Sequence, residues 1–440
     1  MLPVFALVGR PNVGKSTLFN CLTRSRDALV FDTPGITRDR LYGQGHYSGH
    51  NFLVIDTGGI NPHEEGIDSL TAEQAWQGVE EAHVVFWLVD AQTGPTSIDA
   101  QLADRLRQLS KPVILVVNKS DHKATAVACN EFYQFGWPSM VAIAATHNKG
   151  IDELLATAYE AIPDILQAEP PVAIDPGIKV AIVGRPNVGK STLVNRLLGE
   201  ERVVVFDQPG TTRDSIFIPF TRREQKYTLI DTAGVRRRTN IKETIEKFSV
   251  VKTLQAISEA HVVIFMIDAQ ESVTEQDLNL LGFVLEAGRG LIIAINKWDG
   301  LGDYERGQIK EQIDRRLAFV DFADHLFISA KHGTGVGKLW EKIEKVYQCI
   351  TAKHATSLLT QILLDAVTAH PPPLAHGRRP KLKYAHLGGV LPPRIVIHGN
   401  QTQALSQQYQ RYLVNTFRKA LKLVGTPIHL VLKSSNNPYG

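Results

Sequence analysis

Cysteine and long apolar runs are both scarce in this sequence of 440 residues. The three cysteines, Cys21, Cys129 and Cys349, are widely spaced and form no CxxC pair, so we expect reduced thiols and no disulfide. No stretch approaches the roughly 18–20 apolar residues that a membrane helix needs, and we therefore expect no membrane association. Since the first residues show no basic leader with a cleavage site, we expect a cytoplasmic protein.

Side-chain groupings typical of several enzyme classes are also missing. The fifteen histidines show no metal-ligand spacing, and the sequence offers neither a Ser-His-Asp set nor a pair of catalytic carboxylates. His83 and His261 precede apolar runs at matching places, which favours structural roles for both.

Acidic residues are nearly absent from the last 90 residues. Residues 351–440 contain eleven lysines or arginines and one acid, Asp365, whereas the remaining residues hold 37 basic and 44 acidic side chains. A basic segment attached to an acidic body indicates a polyanionic partner, and we expect this segment to contact RNA.

What the sequence does contain is a long internal repeat. The letters VGRPNVGKSTL stand at 8–18 and again, unchanged, at 183–193. EAHVV recurs at a similar offset, and so does an NKxD motif, so two homologous domains are predicted. The predicted organisation is a first domain at 1–162, a proline-rich linker at 163–177, a second domain at 178–350 and a basic domain at 351–440.

Short runs rich in valine, isoleucine and leucine alternate with longer mixed segments in each copy. Such runs are typical of strands buried on both faces, so the repeat predicts an α/β fold with a mostly parallel sheet and flanking helices. The basic domain predicts a smaller α/β unit with the order helix (355–369), strand, strand, helix (405–424), strand.

The repeated stretch fits G-x-x-x-x-G-K-[ST] between an apolar strand and a helical pattern. Its glycines allow backbone N–H groups to surround phosphates at the positive end of the helix. Lys15 and Lys190 can then reach the β- and γ-phosphates, while Ser16 and Ser191 can bind Mg²⁺. The candidate phosphate-loop residues are Gly9, Arg10, Pro11, Asn12, Val13, Gly14, Lys15, Ser16 and Thr17, with Gly184, Arg185, Pro186, Asn187, Val188, Gly189, Lys190, Ser191 and Thr192.

The NKxD motif selects the base. Asp121 and Asp299 can accept from the N1–H and 2-amino groups of guanine, which adenine lacks, so guanine nucleotides are predicted. Asn118 and Asn296 are expected to contact the base, and Lys119 and Lys297 to pack their stems against it. The remaining motif residues are Ser120 and Trp298.

Two further motifs are predicted to sense the γ-phosphate. Asp56 and Asp231 begin DTGG and DTAG, and each is placed to hold Mg²⁺ through water, while Thr37 and Thr212 of upstream loops can supply hydroxyls to the same ion. Loops that order only around a triphosphate make a switch. The other residues of these motifs are Thr57, Gly58, Gly59 and Ile60, with Thr232, Ala233, Gly234 and Val235, and the glycines Gly59 and Gly234 can donate a backbone N–H to the γ-phosphate.

With these motifs in place, the whole chain resembles the Der (EngA) family of bacterial tandem-GTPase ribosome-assembly factors. The resemblance implies two P-loop GTPase domains, a C-terminal KH-like domain and GTP hydrolysis. It also implies a role in maturation of the large ribosomal subunit, with rRNA as partner, and we expect a monomer. Potassium-activated relatives place K⁺ with a loop asparagine that Asn12 and Asn187 match, although these side chains could instead only stabilise the loop.

Several positions depart from related patterns. Ras-like GTPases carry a water-orienting glutamine where this chain has Ile60 and Val235, which suggests slow hydrolysis. The guanine-binding S-A-K pattern is kept around Ala330 but reads A-A-T around Ala145, whose backbone N–H is still expected to contact guanine. Arg10 and Arg185 are interpreted as solvent-facing. The basic domain also lacks the GxxG loop with which KH domains usually hold nucleic acid.

Two other functions remain open at this point. A GTPase of RNA modification would need a further domain for carbon-transfer chemistry, and a GTP-stabilised interaction scaffold would need little turnover. The copies also differ after the DxxG motif, where the first carries the acids Glu64, Glu65 and Asp68 and the second carries Arg236, Arg237, Arg238 and Lys242. We expect this basic segment to contact RNA in a nucleotide-dependent way, the alternative being that it pairs with acids of the first copy.

Overall fold

The computed structural model describes residues 2–23, 41–58, 76, 78–121, 127, 129–163, 177–199, 203–205, 216–231, 250–374 and 378–434. The chain divides into two compact units, residues 1–172 and 173–440. Within the described ranges, no helix combines the length and apolar content needed to cross a bilayer.

The first unit is built on a six-stranded sheet with the order β2-β3-β1-β4-β5-β6. All neighbouring strands are parallel except β2 and β3. The strands are β1 Val4–Val8, β2 Leu41–Tyr47, β3 His50–Asp56, β4 Val84–Asp90, β5 Val113–Asn118 and β6 Met140–Ala142. The helices are α1 Lys15–Thr23, α2 Ser97–Leu106 and α3 Ile151–Glu160.

The second unit repeats this arrangement in a seven-stranded sheet with the order β13-β12-β11-β7-β10-β9-β8. Here β9 is antiparallel to both of its neighbours, β8 and β10, and the other neighbouring strands are parallel. The strands are β7 Ile178–Val183, β8 Val203–Val205, β9 Ile216–Arg222, β10 Gln225–Asp231, β11 Val262–Asp268, β12 Gly290–Asn296 and β13 Asp324–Phe327. The helices are α4 Lys190–Leu198, α5 Val250–Glu259, α6 Glu275–Glu286, α7 Asp303–Arg316 and α8 Lys338–Thr351.

The central strands explain why their sequences are apolar throughout. Every residue of β4, β5, β11 and β12 is buried, because helices cover both faces of each parallel sheet. His83 and His261 each accept a hydrogen bond at Nδ1 from the backbone N–H of Val4 and Lys179, 2.9 Å and 3.2 Å away. Burial lowers the pKa of His261 to about 4 and keeps that ring neutral. The predicted α/β architecture is confirmed.

The basic segment forms a small α/β domain inside the second unit. Its elements are α9 Thr356–Ala369, β14 Lys381–Gly389, β15 Arg394–Asn400, α10 Gln407–Ala420 and β16 His429–Ser434. The order agrees with the prediction, although α10 ends before the expected 424 because Lys422 adopts a left-handed φ of 53°. In the sheet, β15 is antiparallel to β14 and parallel to β16.

This small domain is hydrogen-bonded to the larger sheet of the same unit. Leu291 at the start of β12 donates its N–H to the carbonyl of Gly425 at 2.7 Å, and Gly425 donates to the carbonyl of Phe322 at 2.8 Å. The guanidinium of Arg418 lies 4.1 Å from the centre of the Phe322 ring. The basic domain therefore contacts the amino-terminal ends of β12 and β13.

Candidate functional site

Each phosphate loop has the same backbone conformation in both units. Gly14 and Gly189 have φ of 98°, and a Cβ there would lie 2.3 Å and 2.4 Å from the side-chain nitrogens of Asn118 and Asn296. Contacts that short exclude any larger residue, so these glycines are fixed by close approach as well as by φ. Asn12 also lies in the left-handed region, and among the described residues its side chain makes no hydrogen bond.

The loop lysines are held inside their own loops. The ammonium of Lys15 donates to the carbonyls of Gly9 and Arg10 at 2.9 Å and 2.8 Å, and Lys190 donates to the carbonyl of Arg185 at 2.7 Å. Burial lowers the pKa of Lys15 to about 8, Asp56 opposes this shift, and Arg10 adds to it. A phosphate anion would replace the hydration that the charged ammonium loses on burial. We therefore expect both lysines to exchange their carbonyl partners for phosphate oxygens.

The donor set for Mg²⁺ is assembled in the first unit. The hydroxyl of Ser16 lies 3.0 Å from Oδ2 of Asp56, at the junction of α1 and the end of β3. A hydroxyl and a carboxylate at that separation suit a hard cation that prefers oxygen ligands. These residues therefore fit the predicted ion. In the second unit Ser191 is described, and so is the backbone of Asp231, whose side chain lies outside the described residues.

An asparagine joins two loops of each site. Asn118 donates to the carbonyl of Val13 at 2.9 Å and accepts from the N–H of Ala145 at 3.1 Å. Asn296 donates to Val188 at 2.8 Å and accepts from Ala330 at 2.9 Å. These asparagines are buried, so their first role is to fix the phosphate loop against the alanine loop. The predicted contacts of the asparagines and alanines with guanine stay predictions.

The motif lysines are positioned by two aspartates that the motif analysis missed. Lys119 donates to Asp90 at 2.7 Å and to the carbonyl of Asn12 at 2.9 Å, and Lys297 pairs with Asp268. Burial raises the pKa of Asp90, but hydrogen bonds from Lys119 and Gln92 lower it more, and the net shift is downward. A matching VDAQ and IDAQ at the ends of β4 and β11 could have revealed both aspartates.

The carboxylates predicted to recognise guanine differ between the units. Asp121 lies 3.4 Å from Nε2 of His147, and Asp299 lies 3.2 Å from Nε2 of His332. Only Asp299 also receives a hydrogen bond from the hydroxyl of Ser329, which holds the pKa of that carboxyl below its ordinary value. The equivalent residue of the first unit is Ala144, which has no hydroxyl to donate.

A cavity of about 360 Å³ opens beside Asp299 in the second unit. Its lining includes Gly189 and Thr192 of the phosphate loop, Asn296, and Ser329 of the alanine loop. The volume lies in the usual range for small-molecule sites. The phosphate loop, the NKxD motif and the alanine loop therefore border one cavity, whose size would suit a small-molecule ligand.

The interpretation of Arg10 and Arg185 as solvent-facing is wrong. Arg185 donates from Nε to both carboxylate oxygens of Asp277 at 3.0 Å and also pairs with Glu271 at 2.9 Å. Arg10 makes the corresponding ion pair with Asp99 at 3.5 Å. The partners lie about 90 residues along the chain, so the local sequence offered no sign of the pairing.

Both partner aspartates also cap helices. Asp99 accepts from the N–H and hydroxyl of Thr96 at the start of α2, and Asp277 does the same with Thr274 at the start of α6. These carboxylates are buried. Each phosphate loop is therefore tied to the first turn of the helix that follows β4 or β11.

A second unpredicted contact ties the alanine loop to the phosphate-loop helix. Arg196 on α4 donates to the carbonyls of Ala330, at 3.4 Å, and Lys331. The equivalent position on α1 is Cys21, whose thiol lies 2.9 Å from the carbonyl of Ala145. A charged, branched donor in one unit and a weak thiol donor in the other make the second loop the more firmly held.

Several predicted site residues lie outside the described residues. They are Thr37, Gly59, Ile60, Thr212, Thr232, Ala233, Gly234 and Val235, together with Arg236, Arg237 and Arg238. Most of the predicted linker also falls in such a range, 164–176. The roles given to these residues stay predictions.

Two family models match the chain. One, described as a 50S ribosome-binding GTPase, matches residues 4–119 and again residues 179–297. The other, described as the KH-domain-like C-terminal domain of EngA bacterial GTPase enzymes, matches residues 353–433. The duplicated GTPase fold and the KH-like assignment of the basic domain are thereby confirmed.

Full-length relatives carry the same assignment. A protein of Marinobacter nauticus named GTPase Der is 57% identical over 441 residues, and one of Hahella chejuensis with the same name is 56% identical. Each match covers 100% of this chain and 93% of the relative. A solved structure of Era in complex with MgGDPNP and nucleotides of 16S ribosomal RNA is 22% identical, with 59% of this chain and 92% of that chain covered. Its TM-score of 0.29 supports no conclusion about this chain.

Proposed function

The chain belongs to the family of GTPase Der, and on that premise we propose that it is a GTP-driven switch in assembly of the large ribosomal subunit. Family membership makes it a GTPase that binds GTP and GDP with Mg²⁺. The observation that carries the proposal is the duplicated asparagine bridge between phosphate loop and alanine loop. Because each unit has its own bridge, we propose that both sites bind nucleotide.

Guanine selectivity is the most direct test of the two sites. Replacing Asp121 or Asp299 with asparagine should shift preference from guanine to xanthine nucleotide at the mutated site, because an amide can donate to the extra xanthine carbonyl. Binding of labelled GDP and XDP to each variant measures the shift. Unchanged guanine preference at a mutated site would contradict the assignment.

Hydrolysis in each site rests on charge neutralisation and a positioned water. Lys15 and Lys190 exchange their loop carbonyls for phosphate oxygens when nucleotide enters. In the first site Ser16 would hold Mg²⁺ directly and Asp56 would hold it through water, and the ion would supply positive charge beside the phosphates. The further residues proposed for these roles are Ser191, Asp231, Thr37, Thr212, Gly59 and Gly234.

We propose that GTP hydrolysis is slow and is stimulated by K⁺. Ile60 and Val235 cannot orient water by hydrogen bonding, so a monovalent cation beside Asn12 and Asn187 would supply charge in their place. Among the described residues the side chain of Asn12 makes no hydrogen bond, so its amide oxygen could bind such a cation. Phosphate release should be faster in KCl than in NaCl at equal ionic strength, and Asn12→Ala with Asn187→Ala should remove the difference. Bound nucleotide without turnover in either salt would favour the scaffold alternative.

Contact with rRNA is proposed for the KH-like domain and the second GTPase domain. The KH-like domain carries eleven basic residues against one acid, and the second GTPase domain carries Arg236, Arg237 and Arg238 after its DxxG motif. Neutralising these three arginines should flatten the salt dependence of ribosome binding more in the GTP state than in the GDP state. An equal loss in both states would place the switch elsewhere. Co-sedimentation of the monomeric, cytoplasmic chain with large-subunit precursors tests the partner itself.

A further inference from the structure

An aromatic cluster lies on the helix-free face of the KH-like sheet. The ring of Tyr384 on β14 stacks on the imidazole of His398 on β15, with centroids 4.5 Å apart and planes only 6° from parallel. His386 completes the cluster at 5.2 Å from His398 and 6.3 Å from Tyr384. Because neighbouring Ala385 and Ile397 are buried against α9 and α10, strand alternation puts the cluster on the opposite face.

The cluster is accessible through Tyr384. That side chain is 42% exposed although its ring already stacks on His398. Because Nδ1 of His386 is buried, a ligand would meet the cluster through the exposed Tyr384 ring and not through that nitrogen. The stacked ring pair is suited to a planar heterocycle that offers a π-face.

The charge around the cluster is positive. In register, Tyr384 pairs with His398, and His398 pairs with Lys433 on β16, so the row ends in an ammonium. Lys381, Lys383 and Arg394 are also exposed, and the three strands carry no acidic residue. A positive margin of this kind favours a ligand that carries negative charges next to its planar groups.

We propose that this face, centred on Tyr384, His386 and His398, binds an unpaired segment of RNA by stacking its bases, with Lys433 contacting the phosphates. The proposal rests on the rRNA contact put forward above and gives it a place and a mode. Stacking on aromatic rings together with a basic margin is how single strands are held without sequence preference. A paired helix would hide its bases from such a face.

The test measures binding of the full chain to an eight-nucleotide uridine RNA and to an RNA duplex of the same length. Tyr384→Ala should weaken single-strand binding by roughly 10-fold or more and leave the salt slope unchanged. Tyr384→Phe should restore most of the affinity. Lys433→Ala should instead reduce the slope by about 0.7, the amount expected for one phosphate contact on a single strand.

Tyr133→Ala is the matched control, because Tyr133 is a tyrosine of the first unit that is 64% exposed. This variant should bind both RNAs as the unmodified chain does. Photocrosslinking of 4-thiouridine RNA to the unmodified chain needs no variant and should label residues 381–400. Labelling elsewhere only, or equal effects of Tyr384→Ala on both RNAs, would overturn the proposal. A chain that binds neither these RNAs nor ribosomal particles would overturn the proposed rRNA contact instead.

Discussion

Arg185 of the second phosphate loop donates from Nε to both carboxylate oxygens of Asp277, each 3.0 Å away. The side chain of Asp277 is 1% exposed, and that of Arg185 is 13% exposed. One N–H is thus shared between two oxygens of a charged partner, and this charge-assisted contact joins the phosphate loop to the start of α6. The contact therefore restrains the phosphate loop through a group of the protein itself.

Removing this pair should cost more than removing its counterpart. Arg185→Ala leaves Asp277 buried with only Thr274 as partner, and we expect the free energy of unfolding of the second unit to fall by about 2–4 kcal/mol. Arg10→Ala should cost less, because Arg10 meets Asp99 in one 3.5 Å contact. Chemical denaturation of both variants, without and with GDP, measures the difference. Equal losses, or a larger loss for Arg10→Ala, would contradict the prediction that the Arg185–Asp277 contact is the more stabilising one.

The Ser329 hydroxyl should set a difference in guanine affinity between the sites. Ser329→Ala removes a donor to Asp299, and we expect GDP to bind the second site about 3- to 10-fold more weakly, since a hydrogen bond to a charged group is lost. Ala144→Ser is the reciprocal variant and should strengthen the first site. Titration calorimetry on chains with one site disabled, by Lys15→Ala or Lys190→Ala, gives each affinity. An unchanged affinity for both variants would remove the hydroxyl from guanine recognition.

Arg196 should slow nucleotide release from the second site. Its guanidinium holds the carbonyls of Ala330 and Lys331, so Arg196→Ala should loosen the alanine loop and speed GDP release about 10-fold. Cys21→Ala at the equivalent position should change release from the first site less than about 3-fold, because a thiol is a weak donor. Stopped-flow release of a fluorescent GDP analogue compares the two. The prediction fails if the cysteine variant shows the larger effect.

The first site should lose affinity for GTP as the pH rises through about 8. Burial lowers the pKa of Lys15 to about 8 in the free protein, while bound phosphates favour the protonated ammonium. The complex therefore holds more protons than the free site, so affinity is complete below pH 8 and declines above it. Binding should be measured from pH 7 to pH 8.8 in a chain with Lys190→Ala. Lys15→Arg, which stays charged, should give a flat profile, and a parallel decline there would assign the titration to another group.

Local sequence was enough to predict the elements and the motifs. Phosphate loops, NKxD motifs and apolar strands each depend on fewer than a dozen consecutive residues, whose chemistry is visible as letters. The basic domain's element order also followed from local patterns, and the largest shift is at the end of α10, where Lys422 turns left-handed. The duplication helped, because a feature seen twice at one offset is hard to produce by chance.

The contacts that make the sites specific were decided by the tertiary structure. Arg185 and Asp277 are 92 residues apart, Arg196 and Ala330 are 134 apart, and no pattern in the sequence joins them. The stack of Tyr384 on His398 likewise depends on the register of β14 against β15. A sequence determines which side chains can donate or accept, but the partner of each is settled by which strand ends and helix starts the sheet brings within 3–4 Å. Arg185, expected to face solvent, is mostly covered and ion-paired for that reason.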